Sequence, residues 1–228
     1  MSEKSIMIEA KSPTERIRQA YNLWSWFYAK LVAPLERKPR MLGLERAAIQ
    51  PQDRVLEVAV GPGVTLLEIL KRVNQKNVVY GIDLSPKMLK KARDMVNSAG
   101  YTNIDLRESD ARQLPYPDNT FDVLYNSYMF DLIQLKDMLV VLSEFRRVLK
   151  PGGRLALVNM SKEKDNVLTW WEKFYLRLPA RWVPYLMGGC RPVLMKGLVK
   201  EAGFCEVRQE FIHHIVLSEI VVARKPSM

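Results

Sequence analysis

The chain has 228 residues and a mass of 26.4 kDa, the size of one domain or of one domain with a small cap. Its 48% hydrophobic and 26% charged residues exclude a disordered or low-complexity chain. Two cysteines, Cys190 and Cys205, exclude a disulfide framework and a four-cysteine zinc site, and no metal site is expected. No run of 18 apolar residues is present to cross a membrane, and residues 1–11 do not read as a secretory signal, so the expected address is cytoplasmic.

In chain order, Thr14 to Val32 has the spacing of an amphipathic helix, with Pro13 and Thr14 at its start. Pro34, Pro39 and Gly43 punctuate the next stretch, and Leu42 to Ile49 reads as a second, short helix. Residues 1–50 form an N-terminal helical cover on this reading, and residues 51–228 the main domain. From Arg54 the texture changes to short, nearly continuous apolar runs, as expected of strands buried on both faces. These are 54–60, 77–82, 104–106, 121–126 and 154–159. Helical spacing fills 64–73, 85–98 and 135–149, the second of these with Ser85 as N-cap and Pro86 at its first position. Pro151, Gly152 and Gly153 read as the stop after the third helix. Strands alternating with helices of this length predict an α/β fold with a parallel sheet. Lys196 to Ala202 ends a helix at Gly203. Two adjacent strands, 204–211 and 214–224, then read as an antiparallel hairpin at the sheet edge, with His213 and His214 on it. Residues 161–195 are left as an insertion, a lid.

A glycine loop follows the first strand: Gly61, Pro62, Gly63, Val64, Thr65, Leu66. Dinucleotide enzymes need a third glycine where Leu66 stands, and a P-loop needs a lysine before Ser or Thr, so both readings fail. What remains is an acidic residue, Glu57, inside the strand and small residues at Ala59, Gly61 and Gly63. Asp83 ends the second strand, where a carboxylate takes both hydroxyls of a ribose. Asp110 and Ala111 follow the third, placed to meet an adenine amine.

This pattern resembles the class I S-adenosylmethionine-dependent methyltransferases, whose cofactor carries an ammonium and a sulfonium and no pyrophosphate. The resemblance runs through most of 50–160. It includes the stretches from Gly81 to Leu89, from Leu114 to Asp122 and from Val148 to Leu155. It implies a Rossmann-like, seven-stranded, mostly parallel sheet with helices on both faces and an antiparallel C-terminal hairpin. Ala59 and the Ser127-Tyr128 pair are similar to the ubiquinone/menaquinone C-methyltransferases. The Tyr21 to Tyr28 segment, rich in aromatics, is similar to the bacterial phosphatidylethanolamine N-methyltransferases. The cofactor implied is S-adenosyl-L-methionine. The implied binding residues are Glu57, Ala59, Gly61, Gly63, Asp83, Leu84, Met88, Asp110, Ala111, Asn126, Ser127 and Tyr21. Methyl transfer is an in-line displacement that needs alignment and exclusion of water, so no nucleophilic triad is expected. No catalytic residue is fixed. The candidates are Tyr28, Tyr128 and Asp131, against core packing for Tyr28 and a helix cap for the aspartate.

The net charge of +10 is uneven. Residues 1–50 carry nine basic and five acidic side chains, and residues 161–200 carry eight and three. The same two segments hold all five tryptophans, Trp24, Trp26, Trp170, Trp171 and Trp182. Basic residues among aromatics suit an anionic membrane surface, or simply a solvated basic face over an aromatic core; nucleic acid is the weakest reading. At helical spacing Trp170, Lys173, Phe174 and Arg177 share one face, with Lys162, Lys164 and Arg181 nearby. The expected substrate is a small molecule with a hydrophobic or amphipathic body, a membrane lipid amine or a quinone precursor. A soluble acceptor, RNA or protein, or a non-catalytic cofactor module, is the alternative. Oligomeric state is not legible.

Overall fold

The computed structural model describes residues 7–27, 35–162 and 167–227. Tyr28, Lys164 and the side chains of Trp24 and Trp26 lie outside the described residues.

Seven strands form one sheet in the order β3-β2-β1-β4-β5-β7-β6. They are β1 (Val55–Val58), β2 (Val79–Asp83), β3 (Ile104–Glu108), β4 (Phe121–Ser127), β5 (Leu149–Met160), β6 (Cys205–Ile212) and β7 (Ser218–Arg224). The first five pair in parallel, and β7 inserts antiparallel between β5 and β6. The fold is the seven-stranded α/β class expected from the sequence. Because β1 has β2 on one side and β4 on the other, chain order reverses there, and the carboxyl ends of these strands open a crevice.

Helices cover both faces. On one, α2 (Arg37–Ala47), α3 (Val64–Leu70) and α4 (Pro86–Ser98) pack Leu44, Leu66, Ile69, Leu89, Ala92 and Val96 against the sheet. On the other, α5 (Leu135–Val148) and α8 (Met195–Glu201) bury Met138, Val141, Leu142, Phe145, Met195 and Val199. Helix α1 (Thr14–Phe27) and the segment holding α6 (Trp170–Arg177) and α7 (Val183–Met187) stand over the carboxyl ends of the strands.

Local chemistry explains the boundaries. Ser85 caps α4: its Oγ accepts the Met88 N–H at 3.2 Å, and Pro86 costs nothing at a position with no helical acceptor. Thr169 and Glu172 form a capping box at the start of α6.

Four expectations need correction. Helix α2 begins at Arg37, so Pro39 sits inside its first turn, where its missing N–H has no partner to lose. Pro151, Gly152 and Gly153 do not precede β5 but bulge within it: Phe121 faces Leu149 and Val123 faces Arg154, with Gly152 at φ +73°. His213 and His214 lie in the turn between β6 and β7, which starts only at Ser218. Lys162 is no surface cation. It is buried against Glu172, Nζ to Oε1 2.7 Å, and ties β5 to α6.

Candidate active site

Two cavities meet at the carboxyl ends of the strands. The first lies over the switch point. The end of β1 contributes Val58 and Ala59, the glycine loop Gly61 and Pro62, and β2 Ile82, Asp83 and Leu84. Met88 comes from α4, Ser109 to Ala111 from beyond β3, and Ser127 to Met129 from the end of β4. Thr14, Ile17, Arg18 and Tyr21 complete the wall from one face of α1, at helical spacing.

The backbone is strained at both sides of the switch point. Ala59 has φ +60° and Tyr128 φ +53°, the left-handed region that costs a residue with a Cβ roughly 1–2 kcal/mol. Such strain concentrates where ligands bind. Gly61 has φ +53°, and a Cβ built on it meets nothing within 4 Å, so the loop leaves open space there. Gly63 differs. At φ +90°, its Cβ would sit 2.7 Å from Ala92 Cα, so this glycine lets α3 start against α4.

Asp83 organises the loop. Oδ2 accepts the Gly61 N–H and Oδ1 the Ser85 N–H, each at 2.8 Å. Burial raises its carboxyl to about 6, against the pull of the N–H groups of Ser85, Gly61 and Leu84. The carboxylate still has acceptor capacity left for a further donor. Asp110 stands in the same wall, engaged by Arg112 at 2.6 Å. Burial works to raise its carboxyl, the Arg112 bonds outweigh that, and the net direction is down.

Of the expected cofactor residues, Tyr21, Ala59, Gly61, Asp83, Leu84, Met88, Asp110, Ala111 and Ser127 come together in this one wall. Glu57, Gly63 and Asn126 are not in it. Glu57 is buried with Oε2 unbonded, and burial pushes its carboxyl well up. Asn126 Nδ2 donates to Val58 O at 2.8 Å, leaving Oδ1 unbonded. Sequence reasoning missed Arg40, because a helix arginine reads as surface. It is buried, its guanidinium 5.2 Å from the Tyr128 ring centre and Nη2 2.5 Å from Glu36 Oε2.

The second cavity, of about 540 Å³, lies under α6, α7 and the β6–β7 turn. Tyr21 and Tyr128 belong to both walls, so the two cavities adjoin across these rings. The Tyr128 hydroxyl bonds Ser218 Oγ at 2.8 Å, fixing the ring. Ala20, Met160, Trp171, Pro184, Pro192, Val216 and Leu217 make most of this wall apolar, while Glu36, Asp131 and Cys190 bring its ionisable groups. At the rim Trp170 is 73% exposed, Leu186 61% and Ile215 68%.

An open loop at Gly61 and a buried carboxylate at Asp83 with acceptor capacity left fit a ligand carrying a ribose. This topology with such a cleft at its switch point is that of the class I S-adenosylmethionine-dependent methyltransferases. A methyltransferase domain model matches residues 55–153. The ubiquinone/menaquinone biosynthesis C-methyltransferase UbiE of Teredinibacter turnerae is 32% identical over 184 residues, 72% of each chain. An S-adenosylmethionine-dependent methyltransferase from Aquifex aeolicus superposes with a TM-score of 0.58 at 26% identity, over 82% of this chain and 88% of that one. The [4+2]-cyclase SpnF superposes with a TM-score of 0.72 over 95% and 98%, at 20% identity, a likeness of fold alone. The chain belongs to the methyltransferase family that includes the ubiquinone/menaquinone C-methyltransferases.

Proposed function

We propose that the protein transfers the methyl group of S-adenosylmethionine to an amphipathic small molecule of the quinone-precursor class, drawn from a membrane surface. The observation that carries this reading is the large apolar cavity sharing Tyr21 and Tyr128 with the cofactor cleft. A ring at that shared wall faces the cofactor while an apolar tail fills the rest. The relative of T. turnerae, named for quinone biosynthesis, supports it. In the cleft, Asp83 holds the ribose, Asp110 and Ala111 flank the adenine with Met88 beneath it, Gly61 and Ala59 permit close approach, and Tyr21 covers the site. Glu57 and Asn126 support the ammonium from behind, Gly63 sets the helix, and Leu84 and Ser127 complete the wall. When bound, the cofactor supplies an electrophilic methyl on a positive sulfur. The protein aligns the two reactants and excludes water.

The segment from 161 to 195 acts as a lid, with α1 as a second cover. On α6, Trp171 and Tyr175 turn inward: Trp171 Nε1 donates to Cys190 O at 3.3 Å, and Tyr175 Oη accepts the Lys11 N–H at 3.0 Å. Trp170, Lys173, Phe174 and Arg177 turn outward, beside Arg181 and Trp182. This exposed basic and aromatic rim at the cavity mouth suits an anionic bilayer. A second reading, a phospholipid amine as acceptor, has one observation in its favour, the two carboxyl groups in the cavity wall.

The test is incubation with methyl-labelled cofactor and anionic vesicles carrying either an isoprenoid hydroquinone or phosphatidylethanolamine, followed by chromatography. Label is expected in the quinol. Each cation near the surface contributes about 1 kcal/mol, so replacing Lys173, Arg177 and Arg181 by Ser should lower vesicle affinity by about 100-fold at low salt. Label in the amine lipid alone selects the second reading, and label in neither discards both.

A further inference from the structure

Asp131 is a feature of the second cavity that an apolar ligand does not explain. Its side chain is completely buried, and neither carboxyl oxygen has a conventional hydrogen-bond partner. A bare acceptor in an apolar wall is costly unless a ligand completes it. The groups around it leave it available. Glu36, from the turn before α2, is paired with Arg40. Tyr128, at the end of β4, gives its hydroxyl to Ser218. The Cys190 thiol, a weak donor, stands beside the carboxylate, with Tyr21 of α1 at 4.0 Å from its sulfur. Burial holds that thiol protonated, with Asp131 and Glu36 adding to the effect. Lys162 is spent on Glu172.

Arg191, the residue after Cys190, makes no hydrogen bond to the carboxylate, although its charge pulls the Asp131 carboxyl down against burial. Its guanidinium bonds main-chain carbonyls instead: Ile8 O at 2.6 Å, Asp131 O at 2.9 Å and Ile133 O at 2.7 Å. It is a positioning residue that clamps the loop after β4 and aims Asp131 at the cavity. No lysine or arginine lines that cavity among the described residues. Two acids and no base disfavour an anionic reacting group there.

Resting on the reading that this cavity holds the acceptor, we propose that Asp131 is the proton acceptor of the methyl transfer, and that the acceptor presents an X–H group to it, a ring hydroxyl or an amine. The balance is simple. With an amine, the N–CH₃ bond forms as the S–CH₃ bond breaks, its electron pair stays on sulfur, and the N–H proton passes to Asp131. With a hydroxylated ring, the hydroxyl proton passes to Asp131, and the electron-rich adjacent ring carbon takes the methyl. The hydrogen on that carbon then moves to the ring oxygen, restoring the aromatic ring. Burial, then the nearby charge of Glu36, raises the Asp131 carboxyl to about 7, which suits a base working at neutral pH.

The test compares the wild type with Asp131→Asn, using the acceptors above. The rate should fall by about 10²–10⁴-fold, and the rise of kcat/KM with pH through about 7 should vanish. Cofactor affinity by calorimetry should stay within about twofold. The variant should fold, because a carboxyl raised on folding destabilises the native state as pH climbs from the unfolded value to the folded one. Its melting temperature should therefore exceed the wild type's above pH about 7, with the gap closing in acid. An Asp131→Asn enzyme that keeps its rate and pH limb overturns the proposal. A wild type that methylates neither acceptor overturns the quinone and lipid readings instead. The infrared carboxyl band that Asp131→Asn removes then decides about Asp131. The proposal requires that band to titrate near 7, and an Asp131 already ionised at pH about 5 sinks it.

Discussion

Gly63→Val is expected to lose several kcal/mol of stability, whereas Gly61→Val keeps most of its stability and binds its cofactor poorly. The two glycines are two residues apart with similar backbones, at φ +90° and +53°. In both, a side chain costs roughly 1–2 kcal/mol of left-handed strain. At Gly63 the added Cβ also meets the Ala92 backbone at 2.7 Å, and the main chain of α4 cannot yield as a side-chain tip can. Overpacking adds about 1–3 kcal/mol or more, and the sum approaches half the stability of an ordinary domain. At Gly61 the Cβ enters open space, which on the proposed reading the cofactor fills. Denaturant melts with cofactor titration separate the two: a small loss of stability and at least tenfold weaker binding for Gly61→Val, a loss of about 2–5 kcal/mol for Gly63→Val. A Gly61→Val that binds normally moves the cofactor out of this cleft.

Asp83→Ala should weaken cofactor binding by about 10- to 100-fold, since hydrogen bonds to a charged group are worth roughly 1.5–3 kcal/mol each and solvent replaces part of what is lost. Calorimetry with the cofactor and with its demethylated product reads this directly. The raised carboxyl adds a pH signature. Only the ionised form accepts from two hydroxyls, so wild-type affinity should decline as pH falls through about 6. Asp83→Asn should bind weakly at every pH, with no such decline. An alanine variant of undiminished affinity removes Asp83 from the ribose site.

Most of the strand and helix order is legible in the chain, because strands buried on both faces are nearly continuous apolar runs and Ser85-Pro86 marks a helix start. The cleft is legible for the same reason. Its residues sit at strand ends, as Asp83 and Ser127 do, or just beyond one, as Asp110 does, so their positions follow from the strands. The second cavity is legible only in part, at Tyr128 and Asp131, and the buried charges around it are not. Glu36, Arg40 and Lys162 look like ordinary surface charges, and only the fold buries them as pairs. The left-handed backbone at Ala59 and Tyr128 carries no mark in residues that normally avoid it. The lid's aromatics split by orientation, Trp171 inward and Trp170 outward, which helical spacing separates without saying which face is buried.

On the proposed reading, the second cavity is the acceptor site and the switch-point cleft the cofactor site. Val216 lines only the second cavity, from the β6–β7 turn. In Val216→Trp the indole should fill the space meant for the acceptor's apolar body. Turnover of the labelled methyl group should fall by at least about 100-fold, with cofactor affinity within about twofold of the wild type. Wild-type turnover in a folded Val216→Trp protein would contradict this assignment, since the acceptor would then have to reach the methyl group by another route.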